Sequence, residues 1–306
     1  MLKRITSVDP PKADARGDES SNAACLQKII ALFFFIVMLF TNAFAQDKAK
    51  TVSLPDTVET PGKFYSSHDN TRIYYEVVGH GEPVVLIPGF MNTSESWKRA
   101  PLYHDLVAAG YKVVTVDMRG NGRSDKPHSL KAYQDDAEAK DIMGLMKMLR
   151  LKKYTVVGYS RGAIIASRVL VKTKRAKAAV IGGMGTGFMD TAWPRRKMFY
   201  RALSGEPVKE LEGVLDYIKK NNLDQVALAY SQGGQPSTSA KEFARIKKPV
   251  LVICGEKDSD HAEAEKLSSM IPRSVFTTVP GDHNIAMRTQ EFSTAVMTFL
   301  RRSNEQ

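Results

Sequence analysis

The sequence predicts an α/β fold, in which a mostly parallel central sheet is covered by helices on both faces. Short, nearly continuous apolar segments, which suit buried parallel strands, alternate with longer segments of helical periodicity. Alternation of this kind is typical of strand–helix–strand crossovers. One mostly helical stretch at about 186–247 breaks the alternation, and we interpret it as a small helical cap inserted between two strands.

The segment before this pattern predicts export. An apolar run at 29–40 follows Lys28 and precedes the small residues Ala43 and Ala45, which predicts a signal peptide over 1–45 with cleavage after Ala45. The run is shorter than the roughly 20 residues of a membrane-spanning helix. We therefore expect a periplasmic or secreted protein with no stable membrane span after cleavage; an uncleaved anchor is the alternative. Residues 46–61 are polar and predict a flexible lead-in.

Composition narrows the class of protein further. A chain of 306 residues with 43% hydrophobic content can bury a sizeable core. The formal net charge of +11 is spread over short basic groups such as PRRK at 194–197, which we interpret as solvated faces. None has the length of a basic arm, so we expect no nucleic-acid partner; an anionic partner or a lipid surface is the alternative.

The number of cysteines decides whether a disulfide or a cysteine-bound metal can stabilise the mature chain. Cys25 lies in the predicted signal peptide, which leaves Cys254 alone in the mature chain. An intramolecular disulfide and a cysteine metal cluster are then both impossible.

The predicted domain covers 62–303 and opens with a β-hairpin. Its strands are the segments KFYSSHDN and TRIYYEVVG, joined by an Asp-Asn turn. The strands of the parallel sheet are then predicted at 83–89, 111–118, 154–159, 176–183, 249–255 and 274–281. Helical patterns lie between them, at 94–110, 130–151, 161–175 and 261–271, and a last one closes the chain at 289–303.

The segment GYSRG at 158–162 lies between a predicted strand and a predicted helix. In that context the pattern G-x-S-x-G predicts a nucleophile elbow with Ser160 at its tip. The tight turn leaves no room for side chains at Gly158 and Gly162, so glycine is a steric requirement there. A plain glycine turn is the alternative.

A serine hydroxyl attacks only when a base takes its proton, and the usual base is a histidine that a carboxylate orients. In this topology the carboxylate and then the histidine follow the serine along the chain. His261 and His283 both satisfy that order. His283 follows the last strand on a loop, whereas His261 stands at a predicted helix start, so we favour His283.

The carboxylate is predicted at Asp258, which lies just beyond the strand at 249–255 and thus at the same edge of the sheet as Ser160. Asp260 and Asp190 are the alternatives.

Five segments in this order resemble the motifs of the α/β-hydrolase fold family, and the resemblance covers roughly 62–303. They are LIPGF, VDMRGNGRSDKP, GYSRG, CGEKD and PGDHNIAM. The resemblance implies that Ser160 is the nucleophile, His283 the base and then the acid, and Asp258 the orienting carboxylate. It also implies an oxyanion hole made by the backbone N–H groups of Phe90 and Arg161.

These predictions combine into a serine hydrolase of carboxylesterase type that cleaves a small or medium acyl substrate, with no metal and no organic cofactor. We predict Met91, Trp97 and Met184 as walls of its substrate pocket. An acyltransferase, a perhydrolase-like enzyme or a carbon–carbon bond hydrolase could use the same three residues. A non-catalytic binding protein could retain the fold.

Two arginines lie in these motifs. The sequence leaves the role of the Arg161 side chain open and predicts a structural role for Arg119. The guanidinium of Arg161 lies beside the nucleophile and can pair with a carboxylate of the protein or with an acidic group of the substrate. Arg119, in the glycine-rich segment after the second parallel strand, is expected to brace its loop rather than to take part in chemistry.

Overall fold

The structure is a computed structural model, and it describes residues 62–304. The predicted signal peptide, its cleavage site and the lead-in lie outside the described residues. Within the described part of the chain, no helix is long and apolar enough to cross a membrane.

Eight strands form one sheet in the order β1-β2-β4-β3-β5-β6-β7-β8. The hairpin of β1 and β2 is antiparallel, β2 is antiparallel to β4, and every other neighbouring pair is parallel. The strands are β1 Lys63–Ser66, β2 Arg72–Val78, β3 Pro83–Ile87, β4 Lys112–Val116, β5 Tyr154–Tyr159, β6 Ala176–Gly182, β7 Val250–Gly255 and β8 Ser274–Val279. The predicted fold class is confirmed.

Helices connect the parallel strands and end the described chain. They are α1 Ser94–Lys98, α2 Pro101–Ala108, α3 Ala137–Met148, α4 Arg161–Lys172, α5 Pro194–Leu203, α6 Glu212–Lys220, α7 Gln225–Gly233, α8 Ala240–Phe243, α9 His261–Ser269 and α10 Gln290–Asn304. Short 3-10 turns lie at Leu130–Tyr133, Thr186–Met189, Lys209–Leu211 and Ala286–Arg288.

The sheet is covered on both faces, and the alternation of side chains along β3 shows how. Val85 and Ile87 belong to the core beneath α3, α4 and α9, whereas Val84 and Leu86 belong to the core beneath α1, α2 and α10. Successive side chains of a strand point to opposite faces, so a strand that is apolar throughout must be covered twice.

The helices α5 to α8 lie between β6 and β7 and form the helical cap. They have a small core of their own around Leu203, Ile218 and Leu228. Phe90 and Met91, from the loop after β3, pack against this core. The cap is therefore joined to the carboxyl edge of the sheet, where the loops after β3 and β5 emerge.

The side chain of Arg119 is fully buried and ties three segments together. Its Nε and Nη2 atoms each donate to the carboxylate of Asp141 on α3, at 2.6 Å. Its Nη1 donates to Asp69 at 2.8 Å and also to the carbonyl oxygen of Ala132. Every one of these partners is structural, which agrees with the expectation that Arg119 braces its loop.

Candidate active site

Ser160 lies at the tight turn between β5 and α4, with φ +54° and ψ −124°. This conformation is strained for a residue with a side chain. Its N–H donates to the carbonyl oxygen of Gly182 at 2.8 Å. A Cβ atom at Gly158 would collide with the carbonyl of Gly162, and one at Gly162 would collide with the carbonyl of Ile87. Both glycines are therefore needed to close the turn.

Ser160, His283 and Asp258 form a continuous chain of hydrogen bonds. The Oγ atom of Ser160 lies 2.9 Å from Nε2 of His283, and Nδ1 of His283 lies 2.8 Å from Oδ2 of Asp258. Asp258 follows β7 and His283 follows β8, so the ends of three strands supply the three side chains. The side chain of His283 is 34% exposed, while that of Asp258 is fully covered.

The carboxylate of Asp258 is held in its charged form. Burial acts to raise its pKa, but the hydrogen bond with His283 and the N–H of Asp260, which donates to Oδ1 at 3.0 Å, hold the pKa below its ordinary value. The buried thiol of Cys254 lies next to it, and burial together with the charge of Asp258 raises the pKa of that thiol to about 12. A thiol in this state is neutral and unreactive.

The alternative residues weighed from the sequence have other partners. Nε2 of His261 lies 2.8 Å from Oγ1 of Thr278, and the ring stands at the start of α9. Nη1 and Nη2 of Arg195 donate to the two carboxylate oxygens of Asp260. Asp190 accepts from the N–H of Ala192. Within residues 62–304, the side chains of all three lie outside the chain of hydrogen bonds at Ser160.

Tyr159 supports the histidine loop, and the sequence reasoning missed it. Its hydroxyl donates to the carbonyl oxygen of His283 at 2.8 Å. Its ring lies 5.5 Å from the His283 ring and 5.8 Å from Phe292 on α10, measured between centroids. Its place beside Ser160 in GYSRG was the available signal, since that position lies at the same sheet edge as the histidine loop.

The main-chain N–H groups of Phe90 and Arg161 are free to donate, because neither is bonded to an acceptor within residues 62–304. Phe90 and Ser160 line the same two cavities. A Cβ atom added to Gly89 would be 3.4 Å from Cβ of Ser160, so the loop after β3 runs close past the serine. These are the positions that the resemblance implies for an oxyanion hole.

The side chain of Arg161 is buried and paired within the protein. Its Nη1 and Nη2 atoms donate to the two oxygens of Glu138 on α3, each at 2.6 Å, and Nη2 also donates to the carbonyl oxygen of Ser231 on α7 at 2.6 Å. The pairing is with a buried carboxylate of α3 and with the backbone of the cap. The sequence leaves two roles open for the Arg161 guanidinium. These contacts correspond to the structural one, which is pairing with a carboxylate of the protein.

Ser160 lines two cavities. The larger, of about 480 Å³, includes His283, Met91 and Phe199 in its lining, and the smaller, of about 80 Å³, includes Met184 and Arg161. The predicted pocket residues Met91 and Met184 thus lie in the walls of these cavities.

Trp97 lines neither of these two cavities, so the prediction of Trp97 as a pocket wall is wrong. The side chain is fully buried in the core beneath α1 and α2, with its ring 6.5 Å from that of Phe292. It faces the sheet because helix α1 packs that side inward, which a hydrophobic position on a five-residue helix cannot reveal on its own.

Within residues 62–304, no group of three or more His, Cys, Asp or Glu side chains is arranged to hold a metal ion.

Comparison with known proteins places the chain in a family. The alpha/beta hydrolase family matches residues 84–295, which include Ser160, Asp258 and His283. The chain belongs to the α/β-hydrolase family. Among solved structures, an esterase from Exiguobacterium antarcticum covers 79% of this chain and 100% of its own, with a TM-score of 0.66 and 20% identity. At that identity the similarity shows the fold.

Curated relatives in the α/β-hydrolase family carry several names. The mouse protein named serine hydrolase BPHL is 26% identical over 255 residues, covering 76% of this chain and 84% of its own. A protein of Rhodococcus erythropolis named non-heme haloperoxidase is 25% identical over 230 residues, covering 64% and 81%.

Other matches are partial. The chain matches 39% of the length of a Synechocystis protein, with 41% identity over 111 residues or 36% of this chain. It matches 30% of an epoxide hydrolase from Caballeronia sordidicola, with 34% identity over 101 residues or 33% of this chain.

Proposed function

We propose that this α/β-hydrolase is an exported serine hydrolase of carboxylesterase type, which cleaves a small or medium acyl substrate through an acyl-enzyme. The observation that carries the proposal is the chain of two hydrogen bonds from Ser160 through His283 to Asp258. The name of the mouse relative, a serine hydrolase, agrees with it.

In the first half of the reaction, Nε2 of His283 takes the proton of the Ser160 hydroxyl as the oxygen attacks the substrate carbonyl. The negative charge that develops on the carbonyl oxygen is stabilised by the N–H groups of Phe90 and Arg161. Removing one such donor typically costs about 10²–10³-fold in rate. His283 then gives the proton to the leaving alcohol, and the acyl group remains on Ser160 as an ester.

In the second half, water takes the place of the alcohol. His283 removes a proton from the water, which attacks the acyl-enzyme and forms a second tetrahedral intermediate in the same oxyanion hole. Collapse of this intermediate returns the proton to Ser160 and releases the carboxylic acid. Throughout, Asp258 accepts from Nδ1–H of His283, so the imidazole keeps the tautomer and the orientation in which Nε2 faces Ser160.

The haloperoxidase relative favours a second candidate on the same residues, in which hydrogen peroxide resolves the acyl-enzyme in place of water. The product is then a peracid, and no step other than the last one changes. The epoxide hydrolase name fits this site poorly. Attack of a serine oxygen on an epoxide forms an alkyl ether, which offers no carbonyl to the incoming water.

The test is a chain-length series of p-nitrophenyl esters, from acetate to decanoate, with the release of p-nitrophenol as the measurement. We expect turnover with a preference for short and medium acids. Turnover of peptide substrates without any turnover of esters would overturn the proposal. Repeating the assay with hydrogen peroxide and trapping the peracid separates the two candidates.

Export is tested on the mature protein. Mass spectrometry of the protein purified from its natural compartment is expected to give an N-terminus at Gln46. An N-terminus before Ala45 would contradict cleavage at the predicted site.

A further inference from the structure

The smaller of the two cavities beside Ser160 carries three arginines and no acidic side chain in its lining. Arg161 follows the serine, whereas Arg195 and Arg196 lie at the start of α5, in the cap. Its volume of about 80 Å³ leaves room for a group of a few heavy atoms. Three arginines around so small a space repel one another unless something negative neutralises them, because like charges interact strongly where water is excluded.

Two of the three guanidinium groups are neutralised by the protein. Arg161 pairs with Glu138 through two hydrogen bonds of 2.6 Å. Arg195 pairs with Asp260, at 2.8 and 2.9 Å. Neither carboxylate lines the cavity, whereas both arginines do.

Arg196 is different, because it has no carboxylate partner among the described residues. Its Nε donates to the carbonyl oxygen of Gln232 at 2.9 Å, its Nη2 donates to that of Gly233, and its Nη1 donates to that of Thr191 at 3.4 Å. These acceptors hold the side chain in place but leave its charge uncompensated. Burial, and secondly the charge of Arg161, lower the pKa of Arg196. The half-buried guanidinium therefore carries an unfavourable interaction that an anion would relieve.

The backbone adds to the positive potential at this point. Helix α5 has ten residues and begins at Pro194, and the N–H groups of Arg195 and Arg196 donate to no acceptor in residues 62–304. Free N–H groups in the first turn of a helix favour a negative charge nearby.

The position of His283 decides which part of a substrate enters this cavity. His283 lines the larger cavity and not the smaller one. Because His283 must protonate the leaving alcohol, the alcohol occupies the larger cavity, whose lining includes Met91, Val214 and Met287. The smaller cavity, which Ser160 also lines, is then left for the acyl chain, and Arg196 lies in its wall.

We propose that the smaller cavity binds an anionic group at the far end of a short acyl chain, with Arg196 as the specificity-determining residue. The substrate is accordingly a hemiester of a short dicarboxylic acid with an apolar alcohol. The inference rests on the proposed function, since it assigns the acyl side of that reaction.

The test compares two esters with the same arrangement of heavy atoms. Monobenzyl succinate ends its acyl chain in a carboxylate, and benzyl 4-methylpentanoate ends it in two methyl groups. Release of benzyl alcohol, measured by chromatography, gives kcat/KM for each. We expect the hemiester to be preferred by about 10–100-fold, the range that corresponds to a hydrogen-bonded charge. In Arg196→Gln this ratio falls by a similar factor, and in Arg196→Lys it is partly restored.

The matched control is Arg201→Gln. Arg201 lies on the same helix, is exposed, pairs with Glu206 and does not line either cavity beside Ser160. This variant loses the same charge from α5 and should keep the ratio of the native protein. A ratio that falls equally in Arg196→Gln and Arg201→Gln would overturn the proposal. The preference would then come from the overall positive charge of the protein and not from a contact with Arg196.

Arg288 supplies the competing location, since it is exposed at the edge of the larger cavity. If Arg288→Gln lowered the ratio and Arg196→Gln did not, the anion would lie on the alcohol side, and the proposal would be wrong.

A binding measurement keeps this inference separate from the proposed function. In Ser160→Ala, calorimetry should show monobenzyl succinate binding more tightly than benzyl 4-methylpentanoate, and Arg196→Gln should remove the difference. Binding with this preference but no turnover in the native protein would overturn the esterase proposal and support the anion site. Turnover of both esters with a ratio of kcat/KM values near one would support the esterase proposal and overturn the anion site. Cleavage of neither ester and binding of neither would overturn both.

Discussion

The Oγ atom of Ser160 lies 2.9 Å from Nε2 of His283, although 123 residues separate them in the chain. This contact gives the serine a base. We expect Ser160→Ala to lose about 10⁶-fold in kcat on p-nitrophenyl esters, because nucleophile and base act as one unit. A fluorophosphonate probe should label the native protein and not the variant. Labelling that persists in Ser160→Ala would place the nucleophile elsewhere.

Asp258 is predicted to act only through His283. Replacing it by Asn preserves the shape of the side chain but allows the imidazole to take the wrong tautomer, so Asp258→Asn should lower kcat by about 10⁴-fold. Steady-state kinetics on a short ester measures the effect. Asp190→Asn is the control, since Asp190 bonds only within its own turn among residues 62–304. If Asp190→Asn were the damaging change, the carboxylate would be wrongly assigned.

Tyr159 anchors the loop of His283 through one hydroxyl, so Tyr159→Phe isolates that hydrogen bond. Its loss should cost about 1 kcal/mol of stability and reduce kcat several-fold, because the imidazole is positioned less firmly. Tyr154→Phe is a matched control: Tyr154 is also fully buried, and its hydroxyl has no partner among the described residues. Denaturant unfolding and ester turnover measure the two variants. Equal effects would show that the hydroxyl of Tyr159 does not support the site.

The buried pair of Arg161 and Glu138 is predicted to act on stability. Arg161→Met leaves the carboxylate of Glu138 buried without its partner, which should cost about 3–5 kcal/mol. The double variant Arg161→Met with Glu138→Met should recover most of that loss, because apolar side chains of similar volume replace a buried pair with little penalty. Chemical denaturation gives both values. Recovery near zero in the double variant would show that the pair is not the source of the loss.

The strands and the residues at their carboxyl ends could be predicted from sequence because each depends on local pattern. GYSRG lies between an apolar strand and an apolar helix, and Asp258 and His283 follow strands that any parallel arrangement brings to one edge. The same reasoning could not place Trp97, since burial depends on which side a short helix turns inward.

The roles of the arginines were beyond the sequence for a related reason. The sequence predicts a solvated face for the group PRRK at 194–197, whereas Arg195 and Arg196 line a cavity beside Ser160. Their placement depends on how the cap packs over the sheet, and the partner of Arg161 is a glutamate on a helix 23 residues earlier in the chain. Contacts between separate elements leave no periodic signal in either element.

The pairing of Asp69 with Arg119 makes a prediction about pH. Burial acts to raise the pKa of Asp69, but the hydrogen bonds and charge of Arg119 hold it well below its ordinary value. The ionised form is therefore favoured by folding, and the stabilisation is fully present above the ordinary carboxyl pKa of about 4. It is lost as the pH falls through the lower pKa of the folded protein. Asp69→Asn should then be less stable than the native protein by about 1 kcal/mol at pH 7, a value discounted for the partial exposure of Asp69.

Urea unfolding at a series of pH values measures this difference between Asp69→Asn and the native protein. It should stay constant from neutral pH to about pH 5 and shrink below about pH 4, where the carboxyl of the unfolded chain takes up a proton while that of the folded protein is still ionised. Asp125→Asn is the comparison, since Asp125 also pairs with an arginine, Arg72, but with a side chain that is 63% exposed. Solvent screening should leave a smaller difference there at every pH. A difference at Asp69 that grew as the pH fell would mean that Arg119 does not stabilise the charged form of Asp69.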